Sequence, residues 1–344
     1  MNIIKKTIII IILLTLIGLP LSVNAQTNKA TIVMDLRNGR IIHQENINEP
    51  LLVASTAKIM TAVIIIERGN LDKKILIDKR INQSYGSSIN LVSGEYISRY
   101  DLLHALLLRS ANDAALALAI DYADNEASFA TIMNQKAKEI GLANTIFKNS
   151  SGLDDINQNK MSALDLAILY KYAMKNPIFR KIIATKKYQL NTNVHQFNLE
   201  NKNKLLKYKS ATGGKSGYTS RSGQVLVTST KRGATELLII TINYGYYKRH
   251  IQLYKQYWEQ YYSPRLINKD KYKIPKNKYY ANNQLIVKDD FVYLVTKEEL
   301  SKVTRKLVIT NKTKKPNKKV GYIYLKLNKK YLGQVSVYTK PKQV

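Results

Sequence analysis

The sequence predicts an α/β (α+β) domain, helices packed on a sheet, followed by a small all-β domain of about 80 residues. Short β-branched runs lie between residues 31 and 44 and again between 224 and 243, with mainly helical patterns between them. Past Ser263-Pro264 every pattern reads as strand. Of the 344 residues, 45 % are hydrophobic and 23 % charged, enough for one large or two smaller cores and too apolar for a disordered chain.

The elements follow in order. Lys5 and Lys6 precede an almost wholly apolar run, Ile8 to Leu19, which Pro20 breaks ahead of Val23-Asn24-Ala25. Positive charge, apolar core and small-residue site form an export signal, so residues 1–25 are predicted to be cleaved away after Ala25, in preference to Ile3 to Val23 staying as an uncleaved anchor. Thr31 to Asp35 and Arg40 to Gln44 flank Asn38-Gly39, a hairpin signal because both residues tolerate positive φ. Ser55 opens a buried helix through Ile59 to Ile66 that ends at Gly69-Asn70. Ser98 with Asp101 caps Leu102 to Leu108. After a break at Ser110-Ala111-Asn112 a helix runs from Asp113 to Tyr122. Glu126 to Ile140 stops at Gly141, and a helix capped by Ser162 ends before Pro177. Gln224 to Thr230 and Glu236 to Asn243 pair as antiparallel strands, and Ile251 to Tyr262 is helical. In the last domain, residues 263–344, strands are predicted at Phe291 to Thr296, Lys302 to Thr310, Gly321 to Leu327 and Tyr331 to Tyr338.

Composition excludes several chemistries. There is no cysteine, so disulfides, thiolate metal sites, a lipid-bearing cysteine and a cysteine nucleophile are ruled out. The four histidines, His43, His104, His195 and His250, have no ligand spacing, and no metal or other cofactor is predicted. The net charge is +31, most of it lysine. No nucleic-acid recognition pattern accompanies it, so the expected partner is an anionic wall or membrane surface, met peripherally. Residues 263–344 hold nineteen Lys, two Arg and five acidic residues, a net +16. Lysines along strands also discourage edge-to-edge pairing, which explains part of that charge without a partner.

Three short motifs carry chemistry. In Ser55-Thr56-Ala57-Lys58, the chain's single Ser-x-x-Lys, a lysine one helical turn after a serine shares its face. Its amine can take the serine proton if burial and positive neighbours keep it neutral. An isolated match is more often a helix cap followed by a solvated lysine. Ser110-Ala111-Asn112 offers a hydroxyl for proton relay and an amide for positioning. Ser88-Ile89-Asn90 has the same pattern, and an ordinary interhelix turn would too; the helix opening at Asp113 favours the later copy. Lys215-Ser216-Gly217, read as lying just before a strand, pairs a cation and hydroxyl suited to a carboxylate with a glycine that admits substrate backbone, although a polar turn would look alike.

In this order the motifs match the serine penicillin-interactive set of penicillin-binding proteins and related β-lactamases. The chain resembles the D-alanyl-D-alanine carboxypeptidases, low-molecular-mass penicillin-binding proteins of serine peptidase group S11. The likeness extends to residues 50–62, Gly86-Ser87-Ser88, Asp101 to Ala119, Ser151-Gly152-Leu153-Asp154-Asp155 and Gly214 to Thr219. It covers about residues 30 to 260; the last domain is similar in position and pattern only. The resemblance implies a five-stranded antiparallel sheet between helices and a catalytic domain over residues 26–262. It also implies Ser55 as acylated nucleophile, Lys58 as general base, Ser110 as proton shuttle and Asn112 as holder of the substrate amide. Lys215 and Ser216 would bind the terminal D-alanine carboxylate beside Gly217. The N–H groups of Ser55 and Tyr218 would form the oxyanion hole. The substrate implied is the peptidoglycan pentapeptide stem, with β-lactams as covalent inhibitors, outside the cytoplasm.

Two features depart from the family pattern. Ser216 stands where threonine is usual, which keeps the hydroxyl and loses a methyl. The chain also stops at Val344 directly after a predicted strand, so attachment through a C-terminal membrane helix is not expected. A β-lactamase would need a water-activating glutamate, and between Lys148 and Asn159 there are Asp154 and Asp155 but no glutamate. A non-catalytic wall-binding protein would have no use for the intact Ser55, Lys58, Ser110 and Lys215.

Overall fold

The computed structural model describes residues 28–154, 158–280 and 284–340. The predicted export signal, residues 1–25, and Asp155 lie outside the described residues. Strands β1 (Ala30–Asp35) and β2 (Ile41–Glu45) make the expected hairpin, with Gly39 at φ +80°. With β3 (Ala211–Thr219), β4 (Gly223–Arg232) and β5 (Thr235–Ile242) they build one antiparallel sheet ordered β3-β4-β5-β1-β2. Every residue of β1 and β5 is buried, because both faces of the sheet are covered. The alternation of side chains divides them. Ile32, Met34, Leu238 and Ile240 enter the larger core, and Val33, Leu237 and Ile239 enter the one on the opposite face.

The larger core is built on α1 (Lys58–Arg68), buried at every position from Lys58 to Ile66 and stopped by Gly69 at φ +75°. Next, α2 (Arg99–His104) is capped by the Ser98 hydroxyl, which accepts from the Asp101 N–H. It runs into a π-helical turn, Ala105–Arg109, and then α3 (Asn112–Ala123) begins. Helix α4 (Glu126–Glu139) precedes Gly141 at φ +79°, and α5 (Ala163–Ala173) is capped by Ser162. The sequence reading stopped at Pro177, but Pro177 opens a further helix, α6 (Pro177–Ala184), capped by Asn176. Proline in the first helical turn forfeits no hydrogen bond, so it starts this helix as readily as it bars the previous one. A hairpin of Lys187–Asn191 and Gln196–Glu200 was not foreseen either. On the other face, α7 (Tyr247–Gln260) packs Leu253, Tyr254 and Tyr257 against the sheet. Its His250 bridges the hydroxyls of Thr228 at 2.7 Å and Thr241 at 2.8 Å, and burial pushes its pKa down to about 3. It is therefore a neutral link between helix and sheet.

The remaining residues form a second core. Strands β6 (Arg265–Ile267), β7 (Leu285–Val287), β8 (Phe291–Val292), β9 (Val303–Ile309), β10 (Lys319–Leu327) and β11 (Lys330–Thr339) make a four-stranded sheet ordered β7-β11-β10-β9 and the pair β6-β8. One departure from the all-strand reading is α8 (Lys297–Ser301), a single short helix set by a capping box between Thr296 and Glu299. Arg40, just before β2, reaches across to Glu299 and the Leu294 carbonyl. Among the described residues no helix is long and apolar enough to cross a membrane.

Candidate active site

Ser55 stands in a single 3-10 turn, Ala54–Ala57, that feeds α1. The turn is closed by the Thr56 hydroxyl, which donates to the Val53 carbonyl at 2.7 Å. Ala54 has φ +45°, a left-handed conformation that costs an alanine energy and persists only where packing dictates it. Two glycines supply that packing. A Cβ on Gly152 would lie 1.9 Å from the Ala54 carbonyl oxygen, and one on Gly217 would lie 2.8 Å from the Ser55 nitrogen. Replacing Gly152 by Ala is therefore expected to displace the serine turn, and a shift of about 1 Å at a reacting atom costs roughly 10²-fold in rate. Acylation kinetics on a variant shown to be folded would measure it.

Lys58 lies one turn on and fully buried, with its amine donating to Ser55 Oγ at 3.1 Å, Asn112 Oδ1 at 2.6 Å and the Ser151 carbonyl at 2.5 Å. Burial holds its pKa well below the usual lysine value, and the positive charges of Lys215 and Lys202 push it lower still. Asp113 and Glu126 pull the other way. The condition for a neutral amine beside a serine hydroxyl is thus built into the site.

Ser110 follows the π-helical turn in a left-handed conformation, φ +63°, which aims its hydroxyl at Lys215, 2.8 Å from Nζ. Asn112 opens α3, its side-chain oxygen on Lys58 and its amide nitrogen donating to the Tyr85 carbonyl at 2.7 Å. The competing Ser88-Ile89-Asn90 has a different task. The Ser88 hydroxyl and the N–H groups of Ile89 and Leu91 all donate to the Asp113 carboxylate, pinning this loop to the start of α3.

The third motif requires a correction. Lys215, Ser216 and Gly217 lie inside β3, paired with Val227, Leu226 and Val225, and not before a strand. Three glycines in this stretch weaken a strand signal, yet each is needed where the backbone passes close to another group. A Cβ on Gly214 would lie 2.3 Å from the Val227 oxygen, and one on Gly213 2.6 Å from Ile183. Lys215 is buried, also donates to the Ser216 carbonyl at 2.8 Å, and has its pKa pushed down to about 7 by burial and by Lys202. Ser216 is half-buried beside it, and the Tyr218 side chain is 67 % exposed.

Hydrogen bonds join Lys58 to Ser55 and Asn112 and Lys215 to Ser110, and Gly217 lies against the serine turn with Ser216 and Tyr218 flanking it on β3. The sequence reading missed Lys202, whose amine donates to Ser87 Oγ at 3.0 Å and whose charge acts on both buried lysines. It lies in no motif, so only the fold reveals it. The segment from Ser150 to Asp154 is the site's other wall: the Asp154 carboxylate accepts from Thr219 Oγ1 at 2.6 Å, tying it to the end of β3. Beside Asn112 and Ser151 a cavity of about 220 Å³ opens, lined also by Tyr85, Glu126 and Leu153. No group of three or more His, Asp or Glu side chains suited to a metal occurs among the described residues.

A serine beside a buried lysine of lowered pKa, with a second buried lysine on β3, supplies the parts of a serine acyl-transfer centre, and comparison with known proteins agrees. Residues 20–245 match the family described as D-alanyl-D-alanine carboxypeptidase, S11. The chain belongs to the S11 D-alanyl-D-alanine carboxypeptidases. It is accordingly a serine-type hydrolase. Residues 261–343 match the C-terminal domain of penicillin-binding protein 5. The carboxypeptidase DacF of Bacillus subtilis is 32 % identical over 85 % of this chain and 76 % of its own length. DacB2 of Mycobacterium tuberculosis is 31 % identical over 67 % of this chain and 78 % of its own. In fold, penicillin-binding protein 5 of Haemophilus influenzae superimposes with a TM-score of 0.72 over 91 % of this chain and 96 % of that one, at 24 % identity. The S11 carboxypeptidase architecture thus extends through the C-terminal β domain.

Proposed function

We propose that this carboxypeptidase is exported, with residues 26–262 as its catalytic domain, and removes the terminal D-alanine from peptidoglycan pentapeptide stems through an acyl-enzyme on Ser55. One observation carries the reading: the Lys58 amine, fully buried and short of its usual basicity, lies 3.1 Å from Ser55 Oγ. Lys58 takes the hydroxyl proton as Oγ attacks the carbonyl carbon of the penultimate D-alanine. The N–H groups of Ser55 and Tyr218 hold the oxyanion. Ser110 passes a proton to the departing amine, the peptide bond breaks, and D-alanine leaves. Water, activated in turn, cleaves the ester and restores Ser55. Asn112 holds the substrate amide, and Lys215 with Ser216 holds the terminal carboxylate next to Gly217. A β-lactam carries a carboxylate and a strained amide in the same relation, which supports its acting as a covalent inhibitor.

Fast antibiotic hydrolysis finds less support. Asp154 is engaged by Thr219, and Glu126, although in the cavity wall, accepts from the Ser150 N–H at 3.0 Å and hydroxyl at 2.6 Å. The decisive assay is release of free D-alanine from a soluble pentapeptide. Replacing Lys215 by Ala should depress kcat/KM on that substrate far more than on its C-terminal amide, since the ionic contact exists only with the acid. Equal losses on both would remove Lys215 from the carboxylate site, and no D-alanine from the unaltered protein would end the substrate assignment.

A further inference from the structure

The four-stranded sheet of the C-terminal domain has one face in a core and one in solvent. Val320, Ile323, Leu325, Val335 and Val337 point inward. The alternate positions point outward, and beside Gln334 and Ser336 they carry several large aromatic side chains. Tyr322 and Tyr324 on β10, with Tyr331 and Tyr338 on β11, form a diagonal stripe. Ring centroids are 6.0 Å apart for Tyr322 and Tyr324 and 6.1 Å for Tyr324 and Tyr331. Tyr331 is 52 % exposed. None of the four belongs to an apolar cluster of the fold. Tyr338 lies seven positions along β11 from Tyr331, so the stripe runs for about 20 Å at the rise of a strand.

Lysines frame the stripe. Lys319 lies 4.2 Å over the Tyr322 ring and Lys288 4.4 Å over the Tyr338 ring. Lys306 stands opposite Tyr324, and Lys326 opposite Tyr331. Among the described residues none of these four ammonium groups has a carboxylate within 4 Å, although the chain forms such pairs elsewhere. A row of aromatic faces in a cationic frame suits a ligand with flat apolar C–H faces at regular intervals and negative charges along its flank. A hexose polymer bearing carboxylates has this form, because each sugar ring exposes C–H bonds that lie against an aromatic π-face. A lipid headgroup layer supplies the charge but no row of rings, and a nucleic acid would need base-reading or phosphate-tracking modules that the chain lacks.

We infer that the outer face of this sheet binds the glycan strands of the cell wall, with the tyrosines stacked on sugar rings and the lysines paired to stem-peptide carboxylates. This rests on the proposed peptidoglycan substrate. It adds a second contact with the same polymer, so that the enzyme is held on the insoluble wall while its cleft works on nearby stems.

The test is co-sedimentation of the full mature chain with purified insoluble walls at fixed ionic strength. Threonine at Tyr322, Tyr324 and Tyr331 together keeps β-branched residues on the strands. The triple variant should bind walls at least ~10-fold more weakly, one such factor corresponding to loss of about 1.4 kcal/mol, while its D-alanine release from a soluble pentapeptide stays unchanged. Undiminished wall binding overturns the inference. So does a result in which replacing Lys306, Lys319 and Lys326 by Gln abolishes binding and the tyrosine variant does not, for then attachment is charge alone. Loss of binding to anionic lipid vesicles with wall binding intact would assign the face to a membrane instead. If the triple variant does not fold, soluble peptide-free glycan strands should still displace the unaltered protein from walls, and failure to compete overturns the stacking. A chain that binds walls through this face yet releases no D-alanine would refute the catalytic reading and leave this one standing.

Discussion

Replacing Ser55 by Ala will abolish covalent labelling by a penicillin and lower D-alanine release by roughly 10⁶, the scale on which removal of a serine nucleophile acts. The fold should survive. Among the described residues Ser55 Oγ receives one hydrogen bond, from Lys58, whereas the turn is closed by Thr56 on Val53 and packed by Gly152 and Gly217. Intact-protein mass spectrometry after incubation with a penicillin reads the outcome directly. The unaltered chain should gain the mass of the inhibitor and keep it, and the variant should gain nothing. A labelled variant would mean that another hydroxyl is the nucleophile. Loss of the label within seconds from the unaltered chain would revive the β-lactamase alternative.

Replacing Lys58 by Ala should slow acylation by roughly 10²–10⁴, the usual cost of losing a general base. The pH profile distinguishes this base from a merely structural lysine. Lys58 works only when neutral, so acylation must rise with pH through its lowered pKa. As the proposed carboxylate anchor Lys215 would work only when positive, and burial with Lys202 lowers its pKa to about 7. For a substrate with a free carboxylate, kcat/KM should therefore rise as Lys58 loses its proton and fall as Lys215 loses its own. An amide-capped substrate should lack the fall. Lys202 raises the cost of protonating both groups, so Lys202→Gln should move both limbs to higher pH. A profile that is flat through neutrality, or unmoved by Lys202→Gln, would contradict this assignment of charges.

The residues that chemistry needs were readable because they sit in short local patterns. Ser55 and Lys58 are one helical turn apart, so their meeting follows from helix geometry. The meeting of Lys58 with Asn112, and of Ser110 with Lys215, follows from nothing local; the motif order made it legible through resemblance. Lys202 stayed hidden because a lone lysine in a chain so rich in them has no signature, and its influence comes only from where the fold leaves its charge. Strand β3 was under-read because Gly213, Gly214 and Gly217 lower strand propensity while close approach of Ile183, Val227 and Ser55 demands them. Helix α6 was lost to the opposite ambiguity, one proline serving as both stop and start. The core-forming hairpins and helices, by contrast, carried their caps and turns in plain view, from Ser98 and Ser162 to Gly39, Gly69 and Gly141.

Strand β1 is the first strand among the described residues, yet it is hydrogen-bonded to the last strand of its sheet in chain order, with Ala30 opposite Ile242. Its inner neighbour is thus made about 200 residues later, which at 5–20 residues per second means a wait of roughly 10–40 s during synthesis. Through that interval the six-residue run Ala30–Asp35, buried throughout in the finished protein, has only β2 to pair with and an open, sticky edge on its other side. Such a topology makes folding slow and all-or-none. A ribosome-stalled chain ending before Thr235 should bind no penicillin at all, however much of the motif set it already contains.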